Sequence, residues 1–184
     1  MKIKLLSIII IILISISTFY AQTQKLDVIK SKLNWEGSPE IAEHNGTIAV
    51  KEGFLELSGG KIVGGEFVLN MNNIVVLDAN NADHEKMILT EIGNDQFFNV
   101  AKFPTTKFKI TSLSNGLLVG NLTIIGITKP IQFKTTTTKN GKKTTVDSVK
   151  FKLDLNRWGL KFSKWFGGGK FENSLSIQVH IETL

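Results

Sequence analysis

The residues able to carry chemistry are few and poorly spaced for it. The three histidines stand at His44, His84 and His180. None falls in an H-x-H or H-E-x-x-H pattern, the spacings that put two imidazoles on one metal ion. Surface or structural roles are therefore expected for them, with no metal. No G-x-S-x-G elbow occurs, so the serine-hydrolase arrangement has no support. Gly167-Gly168-Gly169-Lys170 looks like a phosphate loop in composition only: Lys164 replaces the leading glycine and Phe171 the Ser or Thr that would reach Mg²⁺. A loop beside Trp165 and Phe166 accounts for it better. The acid pairs Glu40 with Glu43 and Asp78 with Asp83 fall in expected loops and read as solvated charge, not as a glycosidase pair. Asn45-Gly46-Thr47 and Asn121-Leu122-Thr123 match a glycosylation sequon short enough to arise by chance. No catalytic set and no cofactor are expected.

Apolar residues at spacing two remain, and they imply strands. Leu33 and Trp35 share a face, as do Ile48 and Val50; Lys51-Glu52-Gly53 reads as a turn before Phe54–Ser58. Gly59-Gly60 and Gly64-Gly65 bracket a short strand, and Phe67, Leu69 and Met71 then alternate. Phe108 and Ile110 alternate with lysines and threonine up to the Ser114-Asn115-Gly116 turn. The next strands are 117–125 and 131–138, followed by a second turn at Asn140-Gly141. Val149, Phe151, Leu153 and Leu155 form one more inward row, and Leu175, Ile177, Val179 and Ile181 the last. About eight strands result, all-β, as a sandwich or a barrel. One helical insert is expected from Asn81 to Phe98, opened by acids in its first turn and ended or broken at Gly93-Asn94-Asp95.

The totals fit one domain with a sizeable core in 184 residues. Lys2 and Lys4 precede an apolar run from Leu5 to Ile16, the form of a signal peptide, with cleavage expected after Ala21. The division is thus residues 1–21 as signal peptide and 22–184 as the barrel domain, and the location periplasmic or secreted. With no cysteine there is no lipobox, disulfide or thiolate site. The net charge of +6 is scattered along strands, without aromatic platforms between basic residues, so nucleic acid is not an expected partner. It is compatible with transient contact with an anionic membrane surface. Oligomeric state is left open, a homodimer included.

One block is more specific. Gly120-Asn121-Leu122-Thr123-Ile124-Ile125-Gly126-Ile127-Thr128-Lys129-Pro130 resembles the G-x-L-T-I-x-G-x-T-K-P signature of the YceI-like, polyisoprenoid-binding proteins. The run from Asp95 to Phe108 (DQFFNVAKFPTTKF) is similar to a second family block, and Ser31–Trp35 and His44–Ile48 to two smaller pieces. Glu91-Ile92 stands where the family often has His-Leu, and Asn156-Arg157-Trp158 lacks the acid that often precedes the arginine.

The resemblance implies an eight-stranded antiparallel lipocalin-like barrel with a short helical insert. It also implies a non-enzymatic role: carrying a long-chain isoprenoid, an isoprenoid quinone or another lipid in an apolar lumen. Trp35, Ile48, Val50, Phe67, Leu69, Met71, Phe108, Ile110, Leu122, Ile124, Phe133, Phe151 and Leu153 are then the expected lumen residues, chosen by alternation. Ile131 joins them, Thr128-Lys129-Pro130 would turn the chain at the rim, and Ile125 and Ile127 would pack outside. Alternation fits ordinary core packing equally well. A solid-core barrel acting as a surface or interaction module therefore stays open beside the carrier.

Overall fold

The computed structural model describes residues 21–37, 44–160 and 173–184. The expected signal peptide, the Glu40–Glu43 pair and the glycine-rich 167–169 stretch lie outside these described residues. The strands are β1 (Gln22–Lys25), β2 (Lys32–Gly37), β3 (Asn45–Ser58), β4 (Lys61–Val76), β5 (Thr105–Ser114), β6 (Leu117–Ile124), β7 (Ile127–Asn140), β8 (Lys143–Ser148), β9 (Phe151–Asp154) and β10 (Ser174–Glu182). One helix, α1 (Ala82–Gly93), joins β4 to β5, and a 3-10 turn (Leu155–Trp158) follows β9.

Eight of these strands close into an antiparallel barrel in the order β3, β2, β10, β8, β7, β6, β5, β4 and back to β3. Closure removes the sheet edges and turns one face of every strand inward, which is why a period-two pattern suffices to build it. The two remaining strands are short. β1 lies along the second half of β3, and β9 along the first half of β10.

Tight turns set the register. Gly59-Gly60, Asn115-Gly116 and Ile125-Gly126 each join two strands with positive φ at both central residues, the pattern of a type I′ turn matched to strand twist. The third corrects the expectation of a rim turn at Thr128-Lys129-Pro130: the tip is Ile125-Gly126, and Pro130 lies inside β7 opposite Asn121. Ile125, an isoleucine at φ 44°, packs partly against the core, whereas Ile127 is exposed. In the last hairpin Gly141-Lys142 are the central pair, not Asn140-Gly141, because Asn140 already pairs with Lys143.

Two expected breaks are absent. Lys51-Glu52-Gly53 is not a turn; it lies within β3, where the pairing with β4 shifts register on both sides of Val50. Gly64-Gly65 likewise sits inside β4. A bulge absorbs an extra residue by twisting the strand, so glycine and charge there mark a bend and not an end. The helix stops at Gly93, short of the expected Phe98. Asn81 caps its start, its side-chain oxygen accepting from the His84 amide at 2.9 Å. Phe97 and Phe98 follow in a turn and are buried, their rings 4.4 Å apart, so this segment packs onto one end of the barrel.

The barrel wall is not uniformly laddered. β7 pairs with β8 only from Thr135 to Asn140, while β9 pairs with β10. Among the described residues no ladder joins β9 to the first half of β7, Ile127–Lys134. The break falls at Val149-Lys150, between β8 and β9. Val149 therefore points outward, 52 % exposed, and is not part of the inward row expected from its spacing.

Candidate ligand-binding site

The interior divides into two parts. Toward the end bearing the Gly59-Gly60, Asn115-Gly116 and Gly141-Lys142 turns it is filled. There Leu55, Ile110, Leu118, Val146 and Ile181 leave a void of only ≈ 10 Å³. Toward the α1 end lies a larger apolar cavity of ≈ 60 Å³. Its wall presents carbon throughout; Thr106 contributes the one hydroxyl-bearing side chain among the described residues.

Strand alternation brings Ile48, Phe67, Leu69, Met71, Phe108, Leu122, Ile124, Ile131, Phe133, Phe151 and Leu153 to this wall. Three of the residues expected with them are elsewhere. Ile110 belongs to the filled part. Val50 is buried at the β3 bulge, where the register shift turns it off the cavity. Trp35 is buried against Gly46, at which a Cβ would stand 2.8 Å from the indole; its N–H finds no acceptor among the described residues. The wall also takes Leu33, Phe98, Leu155, Leu175, Ile177 and Val179. The β10 residues show the same alternation that marked the others. Leu155 comes from the 3-10 turn, which no periodicity announces.

A row of phenylalanines crosses the cavity. Phe67 meets Phe108 at 5.2 Å between ring centroids, Phe108 meets Phe133 at 5.6 Å, and Phe133 stacks on Phe151 at 4.5 Å with the planes 3° apart. These strands are not all neighbours: β6 stands between β5 and β7. Gly120 makes the crossing possible, because a Cβ there would lie 2.4 Å from Cζ of Phe108. The glycine that opens the G-N-L-T-I-I-G block is thus a packing requirement of the aromatic row. Below the row, Trp158 is fully buried and its indole N–H donates to the Leu122 carbonyl at 3.3 Å. Its neighbour Arg157 reaches across to β7 and donates to the Pro130 carbonyl at 2.5 Å.

Charges stay outside. Lys107 pairs with Glu66 at 2.9 Å and Lys150 with Glu36 at 2.7 Å, both in water, where such pairs contribute little. Glu182 accepts from Lys30 at 2.9 Å and Lys143 at 3.1 Å, and these bonds, Lys30 first, hold its carboxyl below the usual carboxylate range. Folding does bring His44, Asp78 and His84 together, with the rings 5.3 Å apart and His44 Nδ1 3.4 Å from the Asp78 carboxylate. Among the described residues, however, no group of three His, Cys, Asp or Glu side chains has the geometry to hold a metal.

Barrel, helical cap and carbon-lined interior define a small closed β-barrel built around an apolar cavity. The chain belongs to the YceI-like domain family, whose sequence model matches residues 24–183. A UPF0312 protein of Shewanella denitrificans is 34% identical over 96 residues, covering 50% of this chain and 48% of that one. One of Yersinia pestis is 36% identical over 78 residues, covering 40% and 37%. The matches thus span half or less of the length of these curated relatives. Among solved structures, Burkholderia cenocepacia BcnA superposes with a TM-score of 0.68 at 15% identity, covering 86% of this chain and 99% of that one. A mutant of the Campylobacter jejuni YCEI protein gives a TM-score of 0.51 at 14% identity, covering 100% and 91%. At such identities these two show the fold.

Proposed function

We propose that this protein is a non-enzymatic carrier that holds the tail of a long-chain polyisoprenoid, such as an isoprenoid quinone, inside its barrel, outside the cytoplasm. The observation that carries this reading is the cavity wall, carbon throughout in the half of the barrel nearest α1. Membership of a family known for polyisoprenoid-binding barrels supports it. The lysine-led apolar leader ending at Ala21 supports the location. Tail burial supplies the drive, roughly 25 cal/mol for each Å² of apolar surface taken from water, offset by the cost of ordering the chain.

The cavity is narrow, and that shapes the mechanism. A benzene-sized guest needs a cavity of roughly 150 Å³, so ≈ 60 Å³ admits less than one ring. A tail therefore has to displace side chains, and the stacked Phe133 and Phe151 rings, which cross the cavity, are the ones to swing aside. The same narrowness favours the second reading, a solid-core barrel serving as a surface or interaction module.

One experiment separates them. The purified protein is extracted with organic solvent and the extract examined by mass spectrometry. The stripped protein is then titrated with a polyprenyl quinone, whose quinone ring quenches tryptophan fluorescence. A co-purifying long-chain lipid and saturable quenching are expected. A protein that purifies empty and binds neither quinone nor polyprenol leaves the solid-core reading in place. N-terminal sequencing of the exported protein checks cleavage after Ala21.

A further inference from the structure

On the carrier reading, we infer that the guest enters the barrel sideways, through the slit between β7 and β9, and leaves its head group at the slit's outer rim beside Arg157. The wall itself is the first ground. Among the described residues every other junction of the barrel is a hydrogen-bonded ladder, but along Ile127–Gln132 β7 is laddered to β6 alone, and on the other side a single backbone bond, from the Val149 N–H to the Lys134 carbonyl at 3.1 Å, ends the β8 pairing. Pro130, with no N–H to offer a ladder, stands in the middle of that stretch.

The second ground is continuity. An outer crevice of ≈ 410 Å³ runs along the slit, between Pro130 and Gln132 on β7 and Lys152 and Asp154 on β9. Ile131, Phe151 and Leu153 line both this crevice and the inner cavity. One layer of side chains separates outside from inside. The ends of the barrel offer less: one is filled, and at the other Phe98 and Leu155 are buried in the cavity wall.

The third ground is what shuts the slit. On its inner side the Phe133–Phe151 stack bridges β7 to β9; on its outer side Arg157 holds the Pro130 carbonyl. Among the described residues, parting the slit along Ile127–Gln132 breaks this ring stack and this side-chain bond, and no ladder. When Arg157 leaves Pro130, its guanidinium stands at the mouth with donors for the acceptor oxygens of a head group, quinone carbonyls or phosphate alike. Asp154 lies at the same rim, but its carboxylate already accepts from the Asn156 amide at 3.0 Å.

The cysteine-free chain makes the test clean. Gln132→Cys with Lys152→Cys places one thiol on each lip of the slit, to be bridged by a bis-maleimide that carries a reducible disulfide. Lys109→Cys with Asn121→Cys, opposite each other on the laddered β5–β6 wall, is the control. Uptake of a polyprenyl quinone is followed by stopped-flow tryptophan quenching. Bridging the slit is expected to slow uptake at least tenfold, reduction to restore it, and the control bridge to leave it unchanged. Unchanged uptake with the slit bridged overturns the sideways route while the carrier reading stands. No quenching even in the unbridged protein overturns both. Arg157→Ala is expected to weaken binding of the quinone or of a polyprenyl phosphate several-fold, and the more affected of the two identifies the head group. It should leave squalene, which has no head group, unaffected. Equal loss for all three, or loss for none, places the head group elsewhere.

Discussion

The two ends of the barrel interior are made of the same kinds of residue and differ in how they are walled. Around Leu55, Ile110, Leu118, Val146 and Ile181 the wall is joined strand to strand, and the side chains leave a void of only ≈ 10 Å³. Around Leu122, Ile124, Ile131, Phe133 and Phe151 a slit interrupts the wall, and the side chains leave a cavity. Apolar inner faces alone thus do not make a cavity. The cavity lies where the ladder is interrupted.

The largest expected effect comes from breaking the filled end. Leu55 is 1 % exposed, and Leu55→Ala should destabilise the fold by about 2–5 kcal/mol in urea denaturation, while quinone affinity of the folded protein is retained. A loss of affinity in step with stability would erase the distinction between the two ends. Gly120→Ala comes next. The new Cβ meets Phe108 Cζ and the Lys109 carbonyl, so a loss of about 1–3 kcal/mol is expected, along with an altered quinone affinity as the aromatic row is displaced. Phe151→Leu, at the slit, removes the inner stack at a cost of about 1 kcal/mol and should speed quinone uptake.

The smallest effect concerns charge on the sealed side. Glu182 titrates below its ordinary range in the folded protein, so its contribution to stability is present above that range and lost as pH falls through the depressed value. Wild type and Glu182→Gln should therefore differ in denaturation midpoint at neutral pH and converge on acidification. Quinone binding should be equal in both throughout.

Much of this was legible from alternation, and its failures have identifiable physical causes. A period of two tells which residues share a face, and so Phe67, Phe108, Leu122 and Phe133 could be grouped before any strand was paired. It does not tell which strands pair over what length. The row expected from Val149 to Leu155 therefore gave no sign of β8 before it or of the break at Val149-Lys150, and the slit was invisible with them. Bulges hid the continuity of β3 and β4, because Gly53 and Gly64-Gly65 carry turn chemistry in mid-strand. Trp158 and Arg157 were visible only as a fragment of family resemblance. A buried indole on a short 3-10 turn has no repeat to reveal it.

The break at Val149-Lys150 also grades the molecule mechanically along its axis. One rim is a stitched hoop; the other is a slit sleeve, laddered around its circumference but closed at the β7–β9 seam by side chains. Sequence change around the break can retune how wide the sleeve springs without touching the hoop on which folding depends.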